Sequence, residues 1–161
     1  MSSRKLRERN KKRRRRRPRV EMLESRYLLA SDIAIGLIDN PASYNKVTTA
    51  TTATYSAVTA NVEIDATQIA LDLQAGLNVV VSTDSAQTQA GNLVLSESIQ
   101  SGGPQVLLNF IAANDIQIVS SIGSDGSPLD VILNSDSDAT NGGAVEITGF
   151  ITTLNGSLTV G

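Results

Sequence analysis

The feature that most constrains the fold is a repeat in the second half of the chain. Residues 91–113, 114–136 and 143–161 align without a gap, as GNLVLSESIQSGGPQVLLNFIAA, NDIQIVSSIGSDGSPLDVILNSD and GAVEITGFITTLNGSLTVG. The first two segments start 23 residues apart, and the next two start 29 apart because six additional residues, SDATNG, precede the third. Self-similarity at such a period is typical of a solenoid, in which each repeat forms one coil.

The apolar residues of the three segments fall at equivalent positions. They form five sets: Leu93, Ile116 and Val145; Leu95, Ile118 and Ile147; Ile99, Ile122 and Ile151; Val106, Leu129 and Leu158; Leu108, Val131 and Val160. Upstream, Leu77, Val79 and Val81 lie 29 residues before Val106, Leu108 and Phe110. Apolar and polar residues alternate within each run, and Gly, Ser, Asn and Asp separate the runs, as in short strands joined by turns.

These patterns predict an all-β fold, a parallel β-helix of about three to four coils over residues 62–161. The coils are too short to contain crossover helices. An antiparallel meander or sandwich would also explain the turns, but it gives no reason for repeats that stay in phase. Nothing in the sequence covers the strand edge after the last repeat, so we expect the chain to be the start of a longer array or a truncated product.

Two segments before the repeats have other patterns. In EIDATQIALDLQAGLNVVV, Asp65 can cap a helix, an isoleucine and a leucine four residues apart share one helical face, and Gly76 suits a helix end. This predicts a short helix over residues 66–75, which either covers the N-terminal end of the coils or links two strands. Residues 31–61 include TTATTATYSAVTA and predict a linker or a weakly specified edge strand.

Charge divides the chain into two regions. Residues 1–30 contain 13 Lys and Arg and 3 Glu, which gives a net charge of +10. Residues 31–161 contain one basic residue, Lys46, and 13 acidic residues, which gives a net charge of −12. The basic head has nothing to bury, so we expect it to be disordered. It could be a solvated tail, a nucleic-acid-binding arm, a nuclear address or the basic part of an export signal. The apolar runs are too short for a transmembrane helix.

A short motif follows the arginine run. Residues 23–29 read LESRYLL and comprise Leu23, Glu24, Ser25, Arg26, Tyr27, Leu28 and Leu29. They resemble the LEPR-XLL motif found near the N-termini of exported or envelope-associated proteins of planctomycete-type bacteria, with Ser25 in place of the proline. The resemblance implies that this segment is a targeting signal read by the export machinery.

The repeat region also resembles a known family. LNFIAANDIQIVSSIGSDGSPLDVILNSDSDATNGGAVEI and, before it, IDATQIALDLQAGLNVVVST are similar to the filamentous-haemagglutinin-type repeats of large bacterial adhesins. The resemblance covers residues 62–161. It implies a right-handed parallel β-helix, exposure at the cell surface or secretion, and a structural or adhesive role.

The residue types argue against an enzyme. The chain has no His, Cys or Trp, which removes the most frequent general base and the thiolate metal ligands. Pectate-lyase-like enzymes use the same fold, but they need acidic and basic residues or calcium on one face, and residues 62–161 have no Lys or Arg and only Phe110 and Phe150 as aromatics. We therefore expect no catalytic residues.

We expect no cofactor, and calcium is the only one for which the sequence offers possible ligands. Asp136, Asp138 and Asn141 lie in the long loop before the third segment, and Asp84 lies in the equivalent upstream loop. Carboxylate and amide oxygens suit calcium, but the same residues also suit a solvated polar loop.

The sequence as a whole predicts a non-enzymatic, exported protein of the cell surface or the medium. Its role would be adhesin-like and structural, and its partners would be the export machinery and components of the cell surface or extracellular matrix. The alternatives are a β-helix that binds or cleaves polysaccharide and, more remotely, a protein that binds nucleic acid through its arginine-rich head. No specific nucleic-acid partner is expected.

Overall fold

The structure, a computed structural model, describes residues 32–83, 91–137, 139 and 142–161. These residues form thirteen strands and one helix. In chain order the elements are β1 (Asp32–Gly36), β2 (Tyr44–Thr48), β3 (Thr52–Ala57), β4 (Asn61–Asp65), α1 (Ala66–Gln74), β5 (Asn78–Ser82), β6 (Leu93–Leu95), β7 (Ile99–Ser101), β8 (Val106–Ile111), β9 (Ile116–Ile118), β10 (Ile122–Ser124), β11 (Leu129–Asn134), β12 (Val145–Ile147) and β13 (Leu158–Val160).

The strands form three sheets. Sheet 1 has the order β12-β9-β6-β1-β4, sheet 2 has the order β10-β7, and sheet 3 has the order β13-β11-β8-β5-β3-β2. From β6 onwards the chain visits the three sheets in turn, and each coil stacks in parallel on the one before it. The fold is a parallel β-helix of about four turns, which confirms the predicted fold class.

The ladders follow the predicted sets in most of the solenoid. Leu93 pairs with Ile116, which pairs with Val145, and Ile99 pairs with Ile122, which is bridged to Ile151. The upstream step of 29 residues also holds, since Val79 pairs with Leu108 and Val81 with Phe110. Each aliphatic side chain among them that is fully buried, such as Leu93, Ile116 and Ile122, stabilises the fold by roughly 1.5–3 kcal/mol.

The register of the last coil differs from the gapless alignment. Leu158 pairs with Val131, and Val160 with Leu133, two residues further along β11 than expected. The cause is a tight turn over residues 153–156, closed by a hydrogen bond from the Gly156 N–H to the Thr153 carbonyl at 3.0 Å. Its two central residues both have positive φ, as in a type I′ turn. Residues at equivalent positions of the repeat sequence therefore do not pair with each other in this part of the last coil.

The helix forms as predicted. The Asp65 side chain accepts a hydrogen bond from the Thr67 N–H at 2.8 Å, and Gly76 adopts a φ of +83° just after the helix. Helix α1 packs against β7, the outer strand of sheet 2, and buries Ile69 and Leu73. The backbone of Gly103 lies so close to the helix carbonyls that a side chain there would meet them. The helix thus occupies the place of a further strand of sheet 2 at the N-terminal end of the stack.

The segment over residues 31–61, for which we expected a linker or a weak edge strand, contributes three strands. β2 is the edge strand of sheet 3, whereas β3 and β1 lie inside their sheets. The alternation that forms β3 consists of Ala53, Tyr55 and Ala57, all fully buried. A pattern made of alanines and one tyrosine is hard to distinguish from a Thr/Ala/Ser-rich linker, and this explains the difference. β1 also lies between β4 and β6, so the sheet order departs from the chain order.

A candidate binding face on sheet 1

The outward surface of sheet 1 carries three rows of side chains, which we call the acidic face. Strand register and flanking hydrogen bonds give the rows as Asn61, Asp32, Asn92, Asp115 and Ala144; Glu63, Ala34, Val94, Gln117 and Glu146; and Asp65, Gly36, Ser96, Val119 and Thr148. Five of these fifteen residues are Asp or Glu, and none is Lys or Arg. The alternating residues point inward and form the core, so the polar composition of this face follows from the period-two pattern.

Three shallow depressions lie along the acidic face. One of about 310 Å³ crosses β6, β9 and β12 and is lined by Val94, Gln117 and Glu146 among others. Another of about 390 Å³ crosses β4, β1 and β6 beside Glu63. The third, of about 280 Å³, lies at the ends of these strands and includes Glu97 in its wall. Together they give the sheet a hollowed surface with amide and carboxylate groups at its margins.

A chain of polar contacts fixes the first row. Asp32 Oδ1 accepts hydrogen bonds from the backbone N–H of Asn92 at 2.8 Å and from its side-chain amide at 3.1 Å. Asn92 Oδ1 in turn accepts from the side-chain amide of Asn114 at 2.8 Å, and Asp115 Oδ1 accepts from the Ala144 N–H at 2.9 Å. These contacts join successive coils, so Asp32 and Asp115 have a structural task as well as a charge.

The carboxylates of the central row are more open. Glu63 and Glu146 are both exposed and lie on the two edge strands of sheet 1, β4 and β12. Glu146 Oε2 accepts one hydrogen bond, from the Gln117 side-chain amide at 2.9 Å. These two residues can therefore bind a cationic or hydrogen-bonding partner without disturbing the fold.

Positive charge is scarce in the part of the chain that the structure describes. Its one salt bridge joins Lys46 Nζ to Asp72 Oδ2 at 2.8 Å, between β2 and α1. Lys46 is also the one basic residue in that part of the sequence. Because it is engaged there, no described cation neutralises the acidic face.

The same lysine belongs to a buried aromatic cluster. Lys46 Nζ lies 5.0 Å from the centroid of the Tyr55 ring, and the Tyr55 hydroxyl donates a hydrogen bond to Asp72 Oδ2 at 2.7 Å. Burial and, as the next largest cause, the hydrogen bond to Asp72 raise the pKa of Tyr55 well above its usual range. For Tyr44, burial is the largest cause and the hydrogen bond to Asp39 the next, and together they raise its pKa to about 12. The cluster ties the N-terminal hairpin to the helix, and no contact in it marks a binding site.

The predicted calcium ligands are only partly within the described residues. Asp136 has a φ of +55° and accepts a hydrogen bond from the Gly142 N–H at 3.2 Å. Asp138, Asn141 and Asp84 lie outside the described residues. The described part contains no group of three or more acidic residues placed to hold a metal ion. Calcium binding stays a prediction.

The targeting motif at residues 23–29 also lies outside the described residues. The acidic face, by contrast, is a feature that sequence analysis did not single out. Two of its strands, β1 and β4, come from segments without a recognisable repeat. The available signal was the equivalence of Gln117 and Glu146, polar residues at the same outward position of successive repeats.

Among the residues that the structure describes, no helix is long and apolar enough to span a membrane. Comparison of the chain with models of known protein families, with curated proteins and with solved structures found no match in any of the three.

Proposed function

We propose that this chain is a non-enzymatic, exported protein with an adhesin-like structural role at the cell surface or in the medium. The observation that supports this most directly is the stack of parallel coils, which presents sheets 1 and 3 to solvent over five and six strands. Solenoids use such repeated surfaces for broad contact with extended partners. The partners would then be components of the cell surface or extracellular matrix.

The proposed route depends on residues 1–30. Their motif resembles a label of exported proteins, and the repeats resemble those of adhesins, so two separate parts of the sequence support the same location. The alternative, a nucleic-acid-binding arm, is supported by the arginine run alone. Ten net positive charges bind any polyanion at low salt, so binding to DNA in vitro does not distinguish the two functions.

Cell fractionation tests the proposal. The full chain and a chain lacking residues 1–30 would be expressed in a bacterium whose own exported proteins carry this motif. We expect the full chain in the envelope or medium and the shortened chain in the cytoplasm. A double variant, Leu28→Ser with Leu29→Ser, should also stay inside, whereas Leu6→Ser, which removes a leucine outside the motif, should be exported. Equal cytoplasmic retention of the full and shortened chains would overturn the export proposal and favour the nucleic-acid alternative.

A second candidate, polysaccharide binding, is favoured by the three depressions on the acidic face. Their walls combine side-chain amides, carboxylates and short apolar residues, the groups that hydrogen-bond and pack against sugar rings. Titration of the labelled protein with neutral oligosaccharides, followed by NMR, tests this candidate. Shifts confined to Val94, Gln117 and their neighbours would support it, and unchanged spectra at millimolar sugar would exclude it for the sugars used.

A further inference from the structure

We propose that the arginine-rich segment of this chain, residues 4–19, binds to the acidic face of the same molecule. The contact would be ionic, between guanidinium groups and the exposed carboxylates of sheet 1. It concerns an interaction within the molecule and does not depend on the proposed surface role.

The first argument is charge complementarity. Residues 1–30 carry a net charge of +10 and the rest of the chain a net charge of −12. The negative charge is not spread evenly, because five carboxylates lie in the three rows of the acidic face. The corresponding three rows of sheet 3 hold one carboxylate, Asp130, among half-buried aliphatic residues such as Val80 and Ile132. Sheet 1 is therefore the face that a polycation should prefer.

The second argument is the position of the tether. The basic head is continuous with β1, and Asp32, the first residue of β1, is itself part of the acidic face. Arg19 lies 13 residues before Asp32, a length of chain that extends at most about 45 Å. The five strands of sheet 1 span only about 19 Å between the outer two. The segment can thus reach every carboxylate on the face, and a short tether gives it a millimolar effective concentration there.

The third argument is the match in length. Glu63 and Glu146 stand on the two edge strands, about 19 Å apart across the sheet. An extended chain covers that distance in about six residues. The run at residues 13–17 has five consecutive arginines, whose forked guanidinium groups suit carboxylates better than an ammonium group does. The depressions between these carboxylates leave room for the aliphatic stems of the arginines.

Trypsin provides a direct assay because 13 of the 14 Lys and Arg residues lie in the head. The rate of cleavage within residues 4–19 would be measured on the full chain at low salt and at high salt, relative to a free peptide of residues 1–30. We expect protection of the head at low salt, on the order of fivefold or more, because several exposed ion pairs act together. High salt should remove it by screening.

Charge-matched variants assign the protection to a face. The pair Glu63→Gln and Glu146→Gln removes the two carboxylates of the central row of the acidic face, whereas the pair Asp125→Asn and Asp130→Asn removes the same charge elsewhere. Asparagine at 130 keeps an oxygen acceptor for the Ser157 N–H and hydroxyl, so the control should fold normally. We expect the first pair to lose most of the protection and the second to keep it. Equal cleavage of both pairs and the parent chain would overturn the proposal.

A spin label on Ser3→Cys gives an independent measurement, since the chain has no other cysteine. At low salt the label should broaden the amide signals of Val94 and Gln117 and leave those of Asn109 and Ile132, on the outward side of sheet 3, unchanged. Equal broadening on both sheets would overturn the proposal. Broadening of the signals of unlabelled chains when these are mixed with spin-labelled chains would show binding between molecules and would overturn the statement that the contact is within one.

Discussion

Tyr55 is fully buried in a chain that has only two other tyrosines, and its hydroxyl contacts Asp72, which also pairs with Lys46. Burial and this hydrogen bond raise the pKa of Tyr55 in the folded state. The unfolded chain releases the same proton near pH 10. The folded state therefore keeps a proton that the unfolded state loses, and this difference couples stability to pH.

We accordingly expect a constant contribution of Tyr55 to the free energy of unfolding below about pH 10 and a falling contribution as the pH rises above it. Urea unfolding at a series of alkaline pH values measures this. Tyr55→Phe should reduce the alkaline slope, and Tyr44→Phe should reduce it only up to about pH 12, because the pKa of Tyr44 is raised to about 12. An unchanged slope in Tyr55→Phe would contradict the assignment.

Neighbouring residues of β11 test the inward and outward assignment. Val131 is fully buried in the core, whereas Ile132 is half-buried on the outward side. Val131→Asp places an unpaired charge in the core and should cost on the order of 4 kcal/mol, enough to unfold a marginal solenoid. Ile132→Asp should cost about 1 kcal/mol, since its carboxylate stays in contact with water. Circular dichroism and urea unfolding compare the two, and equal losses would contradict the assignment.

At the scale of elements, the sequence patterns predicted the helix and the repeat strands, whose formation depends on local interactions. The cap at Asp65 and the left-handed Gly76 bound α1 within one residue of the predicted helix, and the alternating runs became β6 to β13. The register of β13 could not be predicted, because it depends on a turn in which Leu154 has a φ of +45°, a conformation that is costly for a leucine. That turn depends on the coil beneath it, so it is a tertiary effect.

Two glycines in the turns differ in how much space surrounds them. Gly156 lies against the backbone of Leu129, where a side chain would overlap the carbonyl, whereas a side chain at Gly102 would only touch Gln74. Gly156→Ala should therefore destabilise the last coil by roughly 1–3 kcal/mol. Gly102→Ala should be neutral or stabilising by less than about 1 kcal/mol. Thermal unfolding measures both, and a neutral Gly156→Ala would mean that the turn can move away from β11.

At the scale of the whole molecule, the repeat predicted the stack of parallel coils but not the arrangement of the strands at its two ends. The predicted ladders could be aligned because three segments share one phase. The insertion of β1 between β4 and β6, and the hairpin of β2 and β3, have no counterpart in that repeat. The acidic face shares this origin, since Asp32 comes from β1 and Glu63 from β4. Its position depends on strand order, and a single sequence does not reveal strand order outside the repeats.

The last coil is less buried than the coil before it, and this gives a prediction for the distribution of stability. Ile118 and Ile147 are paired in one ladder, but Ile118 is fully buried and Ile147, in the last coil, is 39% exposed. Solenoid stability is a sum over neighbouring coils, so a coil with one neighbour should open before the rest. Ile118→Ala should lower the free energy of unfolding by roughly 2–5 kcal/mol. Ile147→Ala should lower it clearly less, because removing the partly exposed side chain of Ile147 leaves a smaller cavity.

Native-state hydrogen exchange locates the same difference without mutation. Amides of β8 and β9 should exchange only through near-global unfolding, whereas those of β12 and β13 should exchange through local opening at a lower free energy. Ile147→Ala should speed exchange in the last coil alone, and Ile118→Ala should speed it throughout the stack. Uniform protection across all coils, or equal losses in the two variants, would mean that the solenoid unfolds as one cooperative unit despite its exposed final coil.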